Sequence, residues 1–367
     1  MKLPIDLLQP ERIIIAKGSI NNLKSESAIY GKNGIIVYGK ALKSRIELLA
    51  SFYKQGLAKF LHTGSEPTTK EVAELISFAR EQKADWIAGI GGGSVMDLAK
   101  AAAGLFNASE SPEYYQAGGK LKEAGIPFIA VPTTAGSGAE ATPNAVIIDK
   151  AKTLKLSIRD MSWMAKLVIL DAELMSGSPV AVVRDSGLDA LVQAYESYIS
   201  KGATKITEEI SLSALKKIFV NLSDAFLNQN AKANEELLEG SFLAGVALAN
   251  ARLGVIHGIV HPLGAIYNLP HGALCALSLI PSIRFNREVL GGKYDVLSKT
   301  VGGDFEEKIS ELLKTLNFNS PLAGLKITNV DQIVQETLKS GSTASNPRSV
   351  NEKDVHYLLR EIFNIDI

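Results

Sequence analysis

Short apolar runs alternate with amphipathic stretches through the first half of this chain, and the alternation stops near residue 178. GIIVYG (34–39) is an apolar run closed by glycine, and ALKSRIELLASFYKQG (41–56) follows it with helical spacing. KFLHTG (59–64), DWIAGI (85–90) and IPFIAVP (126–132) repeat the strand pattern. Between them lie EPTTKEVAELISFAREQ (66–82) and GGGSVMDLAKAAAGL, a helix with a glycine-rich entry. VIIDK (146–150) and KLVILD (166–171) are expected to extend the same sheet. Such alternation buries its apolar faces as a mainly parallel sheet with helices on both sides. IIIAKG (13–18) reads as a further strand, fitting either the edge of that sheet or a pairing with a second chain.

From Ser178-Pro179, an N-cap and N1 pair by residue type, the period is helical to the end. SGLDALVQAYESYI, TEEISLSALKKIFVNLSDAFL and ANEELLEGSFLAGVALANARLG succeed one another with loop signals between them. The expected organisation is an α/β domain over 1–178 followed by an all-helical domain over 179–367.

The bulk numbers exclude several partner classes. Lys+Arg and Asp+Glu both number 39, so no net field recruits nucleic acid or an anionic membrane. MKLPIDLLQPERIIIAKG lacks the continuous apolar core and small-residue cleavage site of a secretory signal. LGVIHGIVHPLGAIYNL (253–269) is interrupted by two histidines and a proline. It falls short of the roughly 20 apolar residues a membrane span needs and reads as a buried helix. Cys275 is the only cysteine, so neither a disulfide framework nor a thiolate metal site is expected, and the location is expected to be cytoplasmic.

Two loops carry the signals for a nucleotide. In GIGGGSVMDLAK (89–100), Gly91, Gly92, Gly93 and Ser94 follow a strand and open a helix, where free N–H groups and close backbone approach suit a phosphate. That turn is not the first strand–helix turn, where a dinucleotide fingerprint belongs. VPTTAGSGAEAT (131–142) adds the hydroxyls of Thr133, Thr134 and Ser137 beside two glycines. Loops at successive strand ends favour one shared ligand, since open α/β sheets bind at the carboxyl ends of their strands.

Three of the five histidines fall within HGIVHPLGAIYNLPH (257–271). On a helix His257 and His261 face the same way, and Asp189 and Gln193 do so upstream. Side chains on two such helices can converge on a divalent ion; core histidines bonded to carbonyls are the alternative.

Taken together and in order, GGGSVMDLAK, VPTTAGSGAEAT, GLDALVQAYESYIS, HGIVHPLGAIYNLPHG and NPRSV (346–350) resemble the iron-containing (group III) alcohol dehydrogenase family over nearly the whole chain. The resemblance implies a Rossmann-like dinucleotide-binding N-terminal domain and a C-terminal helical metal-binding domain, a dehydroquinate synthase-like fold. It also implies a homodimer and a divalent metal, Fe2+ or Zn2+, held by one aspartate and three histidines. By motif position those are Asp189, His257 and His271, with Gln193 where the remaining histidine belongs. Gln193 ligates through its amide oxygen, or holds a water there, or marks a vacant site as in the related maleylacetate reductases. His261 matches a family histidine near the nicotinamide that is usually not a ligand, and the proton path is assigned to it. Asp97 and Lys155 match further cofactor positions.

Family members that prefer NAD(H) carry an aspartate after the first strand. Gly39 stands there, with Lys40 and Lys43 nearby, which leans the cofactor towards NADP(H). The implied activity is an NAD(P)-dependent alcohol dehydrogenase or aldehyde reductase acting on a small-molecule substrate. A metal-free reductase similar to maleylacetate reductase and a non-catalytic dinucleotide-binding protein are the alternatives.

Overall fold

The computed structural model describes residues 6–364 apart from 44, 65 and 153. The first five residues of MKLPIDLLQPERIIIAKG lie outside that range. The chain divides into two compact units. One holds Leu8–Thr134 and Gly138–Ser178; the other is mainly Pro179–Ile367 and also takes in Ala135–Ser137.

The first unit is built on a six-stranded sheet. Its order is β1 (Ile13–Ile15), β8 (Leu167–Leu170), β5 (Phe128–Pro132), β4 (Trp86–Gly91), β2 (Gly34–Tyr38), β3 (Ala58–Leu61), and every pairing is parallel. The central strands β4 and β5 are buried at every position, as a parallel sheet covered on both faces requires. Helices α1 (Leu23–Ser27), α2 (Lys40–Lys43) and α3 (Ile46–Lys54) supply Leu23, Leu42, Leu49 and Phe52 to one face, against Ile36, Ala88, Ile129 and Ile169. On the opposite face α4 (Thr69–Glu81) packs on α5 (Gly93–Gly104), which lies close on β4. A Cβ at Gly89 would sit 3.0 Å from the Ala99 Cβ, so only glycine admits this approach without adjustment. The short helix α6 (Pro112–Gln116) follows α5.

Two expectations are corrected here. VIIDK does not extend the main sheet: β6 (Asn144–Asp149) pairs antiparallel with β7 (Leu154–Arg159) in a separate two-stranded sheet. Its burial alternates residue by residue, the mark of a strand with one wet face rather than a sheet-interior strand. The first helix after the boundary starts at Val180, with Pro179 extended at the N-cap and no side-chain cap, so Ser178 is not the cap. IIIAKG supplies β1, which pairs with β8 of the same chain.

The second unit is helical: α7 (Val180–Ile199), α8 (Lys205–Asn228), α9 (Ala231–Ala251), α10 (Val255–Tyr267), α11 (His271–Leu290), α12 (Gly292–Val301), α13 (Phe305–Thr315), α14 (Val330–Lys339), α15 (Gly341–Ala344) and α16 (Glu352–Phe363). In α7 every residue from Gly187 to Ile199 is buried, and α8, α9 and α11 all pack on it. Buried leucines and valines such as Leu188, Leu191 and Val192 contribute about 1.5–3 kcal/mol each. A helix buried all round has no solvent stripe to spend polar residues on, so Asp189, Gln193 and Glu196 in its interior call for partners. The apolar stretch 253–269 forms α10, largely buried by residue as expected. Among the described residues no single helix is long and apolar enough to cross a membrane.

Candidate active site

Helical spacing places Asp189, Gln193 and Glu196 on one face of α7. The first turn of α10 brings His257 to that face, and the first two turns of α11 bring His271 and Cys275. Gly272 makes the last approach possible, because a Cβ there would lie 2.1 Å from the Asp185 carbonyl oxygen on α7. The ligating atoms of Asp189, His257, His271 and Cys275 all lie within 4.8 Å of one another. Asp189 Oδ1 is 3.5 Å from His257 Nε2 and 3.6 Å from His271 Nε2. Ligands about 2.0–2.2 Å from a tetrahedral zinc ion are held about 3.4 Å apart, so both Asp189–imidazole separations match those around one ion. Asp189 Oδ1 and Gln193 Oε1 are both buried and accept no hydrogen bond among the described residues. A buried acceptor left without a donor is costly, and a cation facing Asp189 removes that cost. These residues therefore fit a divalent ion.

Glu196 was not singled out in the sequence, yet it fixes the site. It is fully buried, accepts hydrogen bonds from the backbone N–H groups of Ile256 (2.6 Å) and His257 (3.3 Å), and lies 2.7 Å from His257 Nδ1. A carboxylate there balances the positive end of α10 and accepts a hydrogen bond from the His257 Nδ1–H, which leaves Nε2, on the Asp189 side, as the nitrogen available to a metal. Gly254 admits this carboxylate, since a Cβ would stand 2.7 Å from Glu196 Oε1. Asn346, from the NPRSV run, accepts from the Val255 N–H and pairs with Asn286 on α11, tying α10, α11 and the C-terminal segment together. Glu196 lies three residues after Gln193 and seven after Asp189, and that spacing alone was the available signal.

Burial opposes charge throughout the cluster, and the neighbours decide the outcome. Burial alone would raise the Asp189 carboxyl, but His271 and His257 hold it below the usual range. Burial likewise works against a proton on His257, yet Cys275, Asp189 and Glu196 raise its pKa well above the ordinary value. Burial pushes the Cys275 thiol up to about 12. Cys275, expected to take no part in a metal site, lies within the cluster: its Sγ is 3.5 Å from His271 Nε2 and 3.9 Å from His257 Nε2. Counting cysteines excludes all-thiolate sites, not a mixed one. His261 lies on the exposed side of α10, its ring centroid 5.4 Å from that of His271.

Apart from Ala135–Ser137, the cofactor loops belong to the first unit. The chain runs from β2 outward to β3, then crosses back to β4 and on to β5 and β8, so the sheet switches direction between β2 and β4. Gly39 and Lys40 follow β2, while Gly91 ends β4 and Gly92 and Gly93 follow it, directly at that switch. The glycine-rich turn thus flanks the binding position that doubly wound sheets favour, although it is not the first strand–helix turn. Gly93 and Ser94 open α5 with free backbone N–H groups. Thr133 donates its N–H to the Gly91 carbonyl at 2.9 Å, and a Cβ at Gly92 would be 3.3 Å from Thr134 Oγ1, so the two loops are adjacent. Ser137 lies in the short Ala135–Ser137 segment assigned to the helical unit. Asp97 accepts from the Val146 N–H at 3.0 Å, and burial raises its carboxyl to about 6. Lys155 on β7 is paired with Glu66 at 2.8 Å. Lys100, also missed in the sequence, is fully buried and donates to the Ala139 and Asn144 carbonyls, pinning the strand-to-hairpin segment behind Thr133 and Thr134.

Comparison with known proteins agrees with this arrangement. The family described as iron-containing alcohol dehydrogenase matches residues 10–172, and the C-terminal family of Fe-containing alcohol dehydrogenases matches 183–363. The chain is similar to a lactaldehyde reductase of Escherichia coli (strain K12), 31% identical over 82% of this chain and 83% of that protein. It is similar to an NAD-dependent methanol dehydrogenase of Bacillus methanolicus, 30% identical over 96% of this chain and 98% of that one. Among solved structures it resembles a 1,3-propanediol oxidoreductase with a TM-score of 0.92 and 29% identity, covering 98% of this chain and 100% of the other.

Proposed function

This chain belongs to the iron-containing alcohol dehydrogenase family, and from that premise we propose that it interconverts small alcohols and aldehydes at a divalent metal held by Asp189, His257 and His271. As an NAD(P)-dependent oxidoreductase it moves hydride between the nicotinamide and the carbinol carbon. The observation that carries the metal reading is the buried Asp189 Oδ1, which accepts no hydrogen bond among the described residues and faces two imidazole Nε2 atoms at 3.5 and 3.6 Å.

When bound, a divalent ion supplies Lewis-acid polarisation of the substrate oxygen. The chain's own residues do the rest. Glu196 keeps the His257 proton on Nδ1, so that Nε2 is available. Gly254, Gly272 and the Asn286–Asn346 pair hold three helices to the sub-ångström tolerance that such a site needs. His261, exposed beside His271, carries the proton between substrate oxygen and solvent on its imidazole nitrogens. In the other unit, Gly91, Gly92, Gly93 and Ser94 offer backbone N–H groups to the pyrophosphate, and Thr133 and Thr134 offer hydroxyls; Ser137, on the following segment, offers a third.

NADP(H) is the favoured cofactor, because Gly39 places no carboxylate after β2 and exposed Lys40 and Lys43 can meet a 2′-phosphate. A free buried thiol suits a reducing, cytoplasmic location. β1 is an edge strand whose Ile15 is 53% exposed, which suits pairing with a second copy in a homodimer. The test is turnover of a panel of short aldehydes with NADPH and NADH, before and after chelation and after adding back Fe(II) or Zn(II). Activity is expected to vanish on chelation and in Asp189→Ala and His271→Ala; near-wild-type turnover in those variants would rule the metal mechanism out.

A further inference from the structure

The family resemblance assigns the fourth metal position to a histidine, and this chain has Gln193 there. A neutral amide oxygen is a weak donor for a borderline ion. One turn beyond His271 on α11, however, Cys275 turns a fully buried sulfur towards the two imidazole nitrogens. Ligands at about 2.3 Å for sulfur and about 2.0–2.1 Å for nitrogen on a tetrahedral zinc ion lie about 3.6 Å apart. The observed separations are 3.5 Å to His271 Nε2 and 3.9 Å to His257 Nε2. A buried free cysteine is ordinarily a small apolar filler. Filling a gap gives no reason for sulfur to sit between two imidazole nitrogens beside a carboxylate oxygen that accepts no hydrogen bond and is on a residue only 7% exposed.

We propose that Cys275 is the fourth protein donor of this centre, taking over from the histidine that Gln193 replaces, and that the resulting Asp189–His257–His271–Cys275 set selects zinc over iron. The assignment rests on the metal reading above and deepens it. Coordination replaces the Cys275 S–H bond with a sulfur–metal bond, and the proton leaves to solvent. A thiolate in the set favours zinc over the harder ferrous ion, in the same sense as the Irving–Williams order. With such an ion bound, a substrate oxygen would be a fifth donor, a coordination number that zinc tolerates. Gln193 Oε1, buried and without a donor of its own, is left to accept from the substrate hydroxyl or a water.

The test is cobalt substitution. The full chain is stripped of metal, reconstituted with Co(II), and its cobalt content measured by elemental analysis alongside its absorption spectrum. A sulfur-to-cobalt charge-transfer band in the near ultraviolet is expected at about one cobalt per chain, lost in Cys275→Ser. Competition between Zn(II) and Fe(II) under anaerobic conditions should show zinc affinity falling in Cys275→Ser by more than the roughly 10–100-fold of an outer-shell change, with iron affinity falling less. Cobalt bound without the band overturns the Cys275 assignment and leaves the metal reading standing. No cobalt bound overturns both. The wild-type spectrum decides the matter even if Cys275→Ser does not fold.

Discussion

Replacing Glu196 with glutamine keeps the volume and removes one acceptor from a place where three donors meet. Ile256 N–H lies at 2.6 Å, His257 N–H at 3.3 Å and His257 Nδ1 at 2.7 Å. Glutamine has a single acceptor oxygen, so its NH2 must face a donor whichever way the amide is turned. If the oxygen faces His257, the NH2 meets the Ile256 N–H, leaving a buried donor unsatisfied at about 1–3 kcal/mol. If the amide is flipped, the NH2 donates to Nδ1 and drives the imidazole proton to Nε2, the atom that must be free for a metal. The first orientation keeps the metal-competent tautomer at the cost of a buried donor, and the second gives that tautomer up. Losses of such orienting partners weaken metal binding by roughly 10–100-fold, which is about 1.4–2.8 kcal/mol. The assay is Zn(II) binding by competition with a chromogenic chelator, paired with thermal melts of the metal-free protein. The expected result is that weakening together with a lower melting temperature. A dissociation constant within about twofold of wild type would refute the claim that Glu196 sets the His257 tautomer for a metal.

Gly272→Ala pushes a methyl to 2.1 Å from the Asp185 carbonyl, so α11 must shift away from α7; metal affinity is expected to fall, and an unchanged affinity would show that the helix approach does not matter. Gly39→Asp should move preference from NADPH towards NADH, with modest strain because its Cβ meets Val95 Cγ2 at 3.1 Å; an unchanged NADPH/NADH ratio of kcat/KM places the discrimination elsewhere. Burial raises the Glu140 carboxyl from 4.5 to about 7. Because the folded value is the higher one, its contribution to stability is complete below pH 4.5 and lost as pH rises through about 7. That shift corresponds to at most about 3.5 kcal/mol. Glu140→Gln should therefore melt at a temperature that rises relative to wild type between pH 5 and pH 8, and a pH-independent difference would contradict this.

Much of the fold was legible because its signals are local. β2, β4 and β5 are apolar runs between glycine and amphipathic stretches, and any chain so patterned buries them in a parallel sheet. β6 misled because VIIDK is as apolar as its neighbours. Only its one-sided burial, decided by what packs on it, separates it from a sheet strand. Asp189, His257 and His271 were legible from motif and helical spacing. Glu196 went unnoticed although it shares their helix face, since a glutamate among YESYIS reads as a solvated charge until α7 is seen to be buried all round. Cys275 was set aside by counting, a sound rule for disulfides and all-thiolate sites that says nothing about one sulfur among imidazoles. Neighbouring strand ends explain the cofactor loops: a turn on the fourth strand–helix connection reaches the switch point because β4 crosses back beside β2.

The most direct test of the central claim is metal content per chain, measured by elemental analysis on protein purified without chelators or metal-affinity resin. A metal centre at Asp189, His257 and His271 predicts about one ion per chain, with zinc in excess of iron. A zero that persists after incubation with Zn(II) and Fe(II) would contradict it.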